Sequence, residues 1–144
     1  MNTNTSRILT VGVVILKKDQ VLLVKHGEAA GHVTGTYGTP GGRIDTGKNA
    51  LDAAVREVKE ETGLLIKKED LIEFSDKIYA DIKRKNNEII SVLHTVFVTN
   101  IFTGVLTDSE ETIPEWIEIK KLTELNLLPN TIYMVEKAQQ YVKK

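Results

Sequence analysis

Residues 42–64, GRIDTGKNALDAAVREVKEETGL, carry more structural information than any other part of this chain. They begin as a glycine-rich turn and continue as a segment with helical spacing that stops at Gly63. At about 100° of rotation per residue, three glutamates fall within an arc of about 100°, and aliphatic residues gather on a different face. The glutamates are Glu57, Glu60 and Glu61, and the aliphatic residues are Leu51, Ala54, Val55 and Val58. The stretch therefore predicts an amphipathic helix whose carboxylates lie beside the core.

Carboxylates this close on one helix repel one another unless a positive charge lies among them. Hard carboxylate oxygens are the ligands that Mg²⁺ and Mn²⁺ prefer. The alternative interpretation is an acidic face that is simply solvated, as most such faces are, and it predicts no metal dependence of any activity. We expect the cluster to hold a divalent cation, Mg²⁺ first and Mn²⁺ as the alternative.

The same stretch resembles the Nudix box, the signature of the Nudix hydrolases. That signature consists of glycine, five residues, glutamate, seven residues, Arg-Glu, an aliphatic residue, any residue, Glu-Glu, any residue, glycine and an aliphatic residue. The positions in register here are Gly42, Arg56, Glu57, Val58, Glu60, Glu61, Gly63 and Leu64. The approach to the box, from Tyr37 through Pro40 to Gly42, stands where relatives commonly show Trp-x-Leu-Pro-Gly-Gly. One position departs from the signature, because Lys48 replaces its first glutamate.

The resemblance implies a set of site residues. The metal ligands would be Glu57, Glu60 and Glu61, with the backbone carbonyl of Gly42 as an additional oxygen. Arg56 would orient the catalytic glutamate, with a plain surface ion pair as the alternative. The general base would be Glu57 or a glutamate of the later acidic loop. In that loop Glu110 and Glu111 are both candidates, and we expect Glu110 to take part in catalysis.

Lys48 bears on how the loop is held. In the family, the glutamate at this position is thought to pair with the arginine of the motif, so a lysine there replaces attraction with repulsion. Arg56 has other candidate partners in Asp52 and Glu60, each four residues away on the helix and worth about 0.2 to 0.5 kcal/mol if exposed. Asp45 in the loop is a third candidate. We expect weaker bracing of the loop and an intact metal site.

Composition bounds the class of protein. With 144 residues, 41% of them hydrophobic and 27% charged, we expect one compact globular domain. The resemblance implies that this is a single Nudix hydrolase domain over residues 1–144. The 19 basic and 20 acidic side chains nearly cancel, so we expect neither nucleic acid nor a membrane surface as partner. The resemblance implies a small nucleotide as substrate. The absence of cysteine excludes disulfides, thiolate zinc sites and cysteine nucleophiles. No signal segment or membrane span is evident, so we expect a cytoplasmic protein, with a homodimer as an open option.

Hydrophobic patterning predicts the order of elements. A hairpin covers Ile8–Leu16 and Val21–Val24, a helix of about four turns runs from an Asn49 N-cap to Gly63, and a last helix begins at Asn130. Strands are predicted at Leu71–Ile82, Glu88–Asn100 and Trp116–Ile119. This order predicts an α/β/α sandwich with a mixed β-sheet, the fold that the Nudix resemblance also implies.

Other residue types carry weaker signals. His26, His32 and His94 are isolated in sequence, and a lone histidine is more often structural or solvated than catalytic, so we include none in the site. Lys83, Arg84 and Lys85 would make a small phosphate-binding patch, but three basic residues at a hairpin tip are usually solvated.

Three functions follow as hypotheses. The first is a Mg²⁺-dependent pyrophosphohydrolase that cleaves a nucleoside diphosphate linked to another moiety, with ADP-ribose or a nucleotide sugar preferred. A nucleoside triphosphate pyrophosphohydrolase is the alternative within that chemistry. A Nudix-like module that binds a nucleotide and regulates without hydrolysis is the third, but the retained glutamates argue against it.

Overall fold

The computed structural model describes residues 7–142. The helices are α1 (Ala50–Thr62) and α2 (Thr131–Val142), and short 3-10 segments cover Lys68–Asp70 and Ile119–Glu124. The strands are β1 (Ile8–Lys17), β2 (Gln20–His26), β3 (Tyr37–Gly38), β4 (Gly41–Arg43), β5 (Leu64–Leu65), β6 (Ile72–Glu73), β7 (Ile78–Lys83), β8 (Ile89–Thr99), β9 (Thr103–Gly104) and β10 (Thr112–Glu118).

The main sheet is mixed. Its order is β10-β2-β1-β8-β6, with β3 beside β2, β4 beside β1 and β7 beside β8. β1 and β8 run parallel over eight paired positions, from Ile8 opposite Val92 to Ile15 opposite Thr99, and the other pairs in this sheet are antiparallel. Leu16 pairs with Val21, which confirms the predicted first hairpin. β1 lies at the centre of the sheet and contributes buried side chains to both faces.

The two helices cover opposite faces of this sheet. Because side chains alternate along a strand, Val11, Val13 and Ile15 pack toward α1, whereas Val14 and Leu16 pack toward α2. Buried partners on the α1 side include Ala53, Ala54, Val58 and Phe97, and those on the α2 side include Val96, Val98, Met134, Val135 and Ala138. The layers confirm the predicted α/β/α sandwich. In residues 7–142, no helix combines the length and apolar character needed to cross a membrane.

The ends of α1 follow the predicted signals. The Asn49 side chain accepts a hydrogen bond from the backbone N–H of Asp52 at 2.8 Å, which satisfies one of the free N–H groups of the first turn. Gly63 has a φ of 84°, a left-handed conformation that glycine adopts without strain, and its N–H donates to the carbonyl of Lys59. These caps fix where the carboxylates of the helix stand.

One predicted strand is wrong as a continuous element. Leu71–Ile82 is divided into β6 and β7 by a bend at residues 74–77. Phe74 is buried and donates its N–H to the carbonyl of Val96, but the next N–H, of Ser75, donates to the hydroxyl of Tyr141 on α2. Ile72 pairs with Val98 and Ile78 pairs with His94, so six residue steps on this side lie opposite four on β8. The two extra residues leave the ladder and interrupt the strand. The strand predicted at Trp116–Ile119 is β10, which starts four residues earlier and ends at Glu118.

Candidate active site

A cavity of about 350 Å³ lies between the main sheet, the start of α2 and the glycine-rich turn that precedes α1. Three glutamates line one of its walls, Glu57, Glu61 and Glu111, which we call the carboxylate wall. Three histidines line other parts of the cavity, His26, His32 and His94, which we call the histidine wall. The volume is within the range of small-molecule binding sites.

Paired glycines bring the carboxylate wall together. The N–H of Gly41 donates to Oε1 of Glu61 at 3.0 Å. A Cβ on Gly42 would lie 2.8 Å from the carboxylate of Glu57, and a Cβ on Gly41 would overlap with the carbonyl oxygen of Val11. A side chain at Gly41 would therefore collide with the backbone of β1, and one at Gly42 would push the carboxylate of Glu57 out of its position. This close approach is the physical reason for the Gly-Gly pair.

Burial governs the electrostatics of this wall. Removal from water raises the pKa of Glu61 to about 8, and repulsion from Glu57, Glu111 and Glu60 adds to the shift against the opposing hydrogen bond from Gly41. The pKa of Glu57 is also raised by burial, while its hydrogen bond to Arg56 lowers it. The wall therefore holds carboxylates that would ionise more readily beside a cation.

Arg56 links the loop, the helix and the carboxylate wall. Its Nη2 donates to Oε2 of Glu57 at 2.9 Å, and its Nη1 donates to Oδ2 of Asp45 at 3.2 Å. A longer ion pair joins its Nε to Glu60 at 3.8 Å. Asp52, a candidate partner in the sequence, instead accepts from Asn49 and pairs with Lys68. Asp45 is thus the loop residue that pairs with Arg56, the task that the family signature would give to a glutamate at position 48.

The structure brings some of the expected site residues together and leaves others outside. Gly42, Glu57 and Glu61 line the cavity. The side chain of Glu60 is 60% exposed and is directed toward Arg56, so Glu60 does not line the cavity. In the acidic loop it is Glu111, and not the expected Glu110, that lines it. The roles of Glu60 and Glu110 stay predictions.

The donor set fits a divalent cation in its chemistry. In the part of the chain that the structure describes, no three His, Cys, Asp or Glu side chains form a ready-made ligand set. Mg²⁺ seldom uses such a set, because it keeps several waters and binds one or two carboxylates together with substrate phosphates. Glu57 and Glu61 supply two hard carboxylates, and both lie against the Gly41-Gly42 pair. These two residues and the Gly42 carbonyl would hold the ion.

The histidine wall was not found from the sequence. Thr10 and His94 are paired across β1 and β8, and Nδ1 of His94 lies 2.7 Å from the Thr10 hydroxyl. Burial lowers the pKa of His94 to about 4. The rings of His26 and His32 meet edge to face with centroids 4.7 Å apart, and burial followed by His26 and Arg84 lowers the pKa of His32 to about 4. Thr10 and His94 are separated by 84 positions in the sequence and meet only through strand register, which no local pattern reveals.

An apolar surface continues from these histidines. Five aliphatic side chains of β7 and β8 line the same cavity: Ile78, Ala80, Ile82, Ile90 and Val92. Neutral histidines and a hydroxyl beside an aliphatic surface suit a flat, uncharged ring that also makes hydrogen bonds.

This chain is similar in sequence and in fold to known Nudix and MutT proteins. The family model of the NUDIX domain matches residues 6–138. An ADP-ribose pyrophosphatase of Methanocaldococcus jannaschii is 29% identical over 86% of this chain and 66% of its own length. An oxidized purine nucleoside triphosphate hydrolase of Mus musculus is 30% identical over 90% of this chain and 78% of its own length. The crystal structure of a MutT protein from Methanosarcina mazei shares the fold, with a TM-score of 0.76 and 22% identity over 99% of this chain and all of that one.

Proposed function

We propose that this protein cleaves a nucleoside diphosphate linked to another moiety. The chain belongs to the Nudix family and is a hydrolase of phosphoanhydride bonds. The observation that carries the proposal is the carboxylate wall, in which Glu57 and Glu61 from α1 meet the Gly41-Gly42 pair inside a cavity of ligand size. A single Nudix domain over residues 1–144 is part of the proposal.

The metal ion is proposed to be Mg²⁺. A bound divalent cation neutralises the phosphate oxygens and lowers the pKa of a bound water. In this chain Glu57, Glu61 and the Gly42 carbonyl would hold it, and Glu60 would join them only after its side chain leaves Arg56.

The residues around the metal site have separate tasks. The Gly41 N–H fixes Oε1 of Glu61, and Arg56 fixes Oε2 of Glu57. The proton of the attacking water would pass to a carboxylate of the same wall, Glu57 or Glu111, because general-base catalysis requires hydrogen-bond reach. Glu111 replaces Glu110 in this proposal, since only Glu111 lines the cavity. The aliphatic residues of β7 and β8 would exclude water from the bound ring.

ADP-ribose or a nucleotide sugar is the preferred substrate. The ADP-ribose pyrophosphatase among the relatives supports this choice. The second candidate is a nucleoside triphosphate, favoured by the relative that hydrolyses oxidized purine nucleoside triphosphates. A module that binds nucleotides without hydrolysis is disfavoured, because Glu57 and Glu61, the two half-buried glutamates of the signature, are present and hydrogen-bonded.

A product assay tests the proposal. ADP-ribose, a nucleotide sugar, dGTP and an oxidized dGTP are incubated with the protein, with Mg²⁺ and with EDTA, and the products are separated by chromatography. We expect Mg²⁺-dependent cleavage of at least one diphosphate-linked substrate, and loss of that cleavage in Glu61→Gln. Glu124→Gln, an exposed carboxylate away from the cavity, is the control and should keep full activity. Cleavage that persists in Glu57→Gln and Glu61→Gln, or tight binding without products, would refute the proposal.

A further inference from the structure

The turn between β7 and β8 packs against the loop that follows β2. Nε of Arg84 donates to the carbonyl of Gly31 at 3.1 Å, and the backbone N–H of Lys85 donates to the same carbonyl at 3.0 Å. Arg84 also forms an isolated β-bridge with His32. Gly31, His32 and Arg84 all line the cavity. The hairpin turn and the loop therefore form one continuous part of its wall.

Gly31 makes room for the guanidinium group of Arg84. A Cβ on Gly31 would overlap with Nη2 of Arg84 and would lie 2.7 Å from Cζ. The guanidinium thus rests directly against the backbone of the loop, where any larger residue would displace it. Its orientation is set by the hydrogen bond from Nε, which leaves the two Nη groups for other partners.

Arg84 is half-buried and has no counter-ion in residues 7–142. Within the same residues its Nη groups also make no hydrogen bond. A partly desolvated cation that lines a cavity without a partner favours an anionic ligand. The other basic residues of the turn differ, because Lys83 is exposed and does not line the cavity, and Nζ of Lys85 donates to the carbonyl of Glu28.

The neighbouring histidines do not supply this charge. Nδ1 of His32 is buried and lacks a hydrogen-bond partner among the described residues. Both His26 and His32 have pKa values lowered first by burial, so they are neutral near pH 7. The other guanidinium that lines the cavity, Arg43, is exposed and follows Gly42 on the carboxylate side. Arg84 is therefore the positive charge of the wall formed by the hairpin turn and the loop.

We propose that the guanidinium group of Arg84 binds a phosphate of the nucleotide substrate, from a wall that is separate from the carboxylates. This inference deepens the proposed function and rests on it. The substrate's phosphates would lie between the cation held by α1 and the fixed Nη groups of Arg84, which can donate two parallel hydrogen bonds to one phosphate. Arg84 would then discriminate phosphorylated nucleotides from nucleosides of the same base.

Binding of two probes by calorimetry tests this assignment, with Mg²⁺ present. The probes are α,β-methylene-ADP, whose bridge resists hydrolysis, and adenosine, which has no phosphate. We expect Arg84→Gln to weaken binding of α,β-methylene-ADP about tenfold and to leave adenosine binding unchanged, the size of effect typical of one charge-assisted hydrogen bond. Lys83→Gln is the matched control and should bind both probes as the wild type does.

Two further variants test whether Arg84 acts through its positive charge or only by supporting the loop. Arg84→Lys loses the hydrogen bond to Gly31 but keeps the charge, so it should bind α,β-methylene-ADP more tightly than Arg84→Gln. Gly31→Ala displaces the guanidinium without removing it and should also weaken binding of this probe. Equal losses in Arg84→Lys and Arg84→Gln that extend to adenosine would assign Arg84 to the scaffold and overturn the proposal. Wild-type affinity in Arg84→Gln, or no binding of α,β-methylene-ADP by the wild type, would overturn it as well.

The outcome is distinguishable from failure of the proposed function. If the wild type cleaves no substrate but binds α,β-methylene-ADP in an Arg84-dependent way, the hydrolase proposal fails and the phosphate site stands. If it cleaves a substrate while Arg84→Gln binds the probe unchanged, only the phosphate site fails.

Discussion

The two walls of the cavity respond to the same physical condition in opposite ways. Burial raises the pKa of Glu61 to about 8 in the carboxylate wall, and it lowers the pKa values of His32 and His94 to about 4 in the histidine wall. In both cases the neutral form is favoured, because a charge is costly away from water. The ionised carboxylates of one wall would therefore be stabilised by a cation, whereas the neutral histidines of the other wall are suited to hydrogen bonding without one.

The largest effect is expected from substitutions that remove a charge from the carboxylate wall. Glu61→Gln and Glu57→Gln should each lower kcat about 100-fold or more, the order of loss seen when a group that stabilises reacting charge is removed. Steady-state kinetics on the substrate identified in the product assay measures it. A histidine-wall variant, His94→Gln, should retain far more activity. Equal losses in the two walls would mean that the division of roles is wrong.

A smaller effect is expected from the loop that supports this wall. Asp45→Asn removes the partner of Arg56 Nη1, so Arg56 should hold Glu57 less firmly. The pair is exposed, with side-chain exposures of 38% for Arg56 and 64% for Asp45, so its worth is at most about 1 kcal/mol, or about fivefold in kcat. We expect a lower kcat, an unchanged KM for the nucleotide and partial recovery when Lys48→Glu is added.

Asp52→Asn serves as the control for this experiment, because Asp52 lies on the same helix and pairs with Lys68 instead of Arg56. If it reduced kcat as much as Asp45→Asn does, general helix destabilisation and not the Asp45 contact would be responsible.

The two walls should also differ in how their contribution to the stability of the protein depends on pH. The pKa of Glu61 is raised in the folded state from its ordinary value of 4.5 to about 8. Its contribution to stability is therefore fully present below pH 4.5 and is lost as pH rises through about 8. Without divalent cations, Glu61→Gln should have a Tm a few degrees above that of the wild type at pH 8.5 and gain little at pH 4.5. Differential scanning calorimetry measures both values, and a gain independent of pH would contradict the assigned burial of charge.

The histidine wall should show the reverse and smallest effect. The pKa of His94 is lowered from 6.5 to about 4, so its contribution to stability is present above pH 6.5 and is lost as pH falls through about 4. Between pH 7 and pH 4 the Tm of His94→Gln should therefore fall less than that of the wild type. The change with pH is the readout, since the substitution also alters packing. An identical fall in both proteins would show that His94 is not buried as a neutral ring.

Local sequence was sufficient for Glu57 and Glu61, the two members of the carboxylate wall that lie on α1. It did not single out Glu111, the third member, and it was insufficient for the histidine wall. Asn49, Gly63 and the spacing of Glu57 and Glu61 act within one helix, so capping rules and helical periodicity placed them correctly. The replacement at Lys48 was visible in the sequence, but the choice of Asp45 over Asp52 as partner of Arg56 depended on how the loop folds back.

The remaining features depend on contacts between distant segments. The interruption between β6 and β7 is a shift of two residues in their register with β8, and Tyr141, 66 residues after Ser75, accepts the N–H of Ser75 there. Arg84 was grouped in the sequence with two lysines at a solvated tip, and only its contact with Gly31, 53 residues earlier, separates it from them. Such pairings are set by strand register and loop docking, which short-range patterns do not encode.

Glu57 and Glu61 should bind a divalent cation together, and the position of the bound ion can be measured. Crystals of the wild type and of Glu61→Gln can be soaked in Mn²⁺, and the ion can be located by its anomalous scattering. We expect a peak coordinated by carboxylate oxygens of Glu57 and Glu61 in the wild type, and its loss or marked weakening in the variant. Carboxylates of these two residues that point apart, with no peak between them, would contradict it.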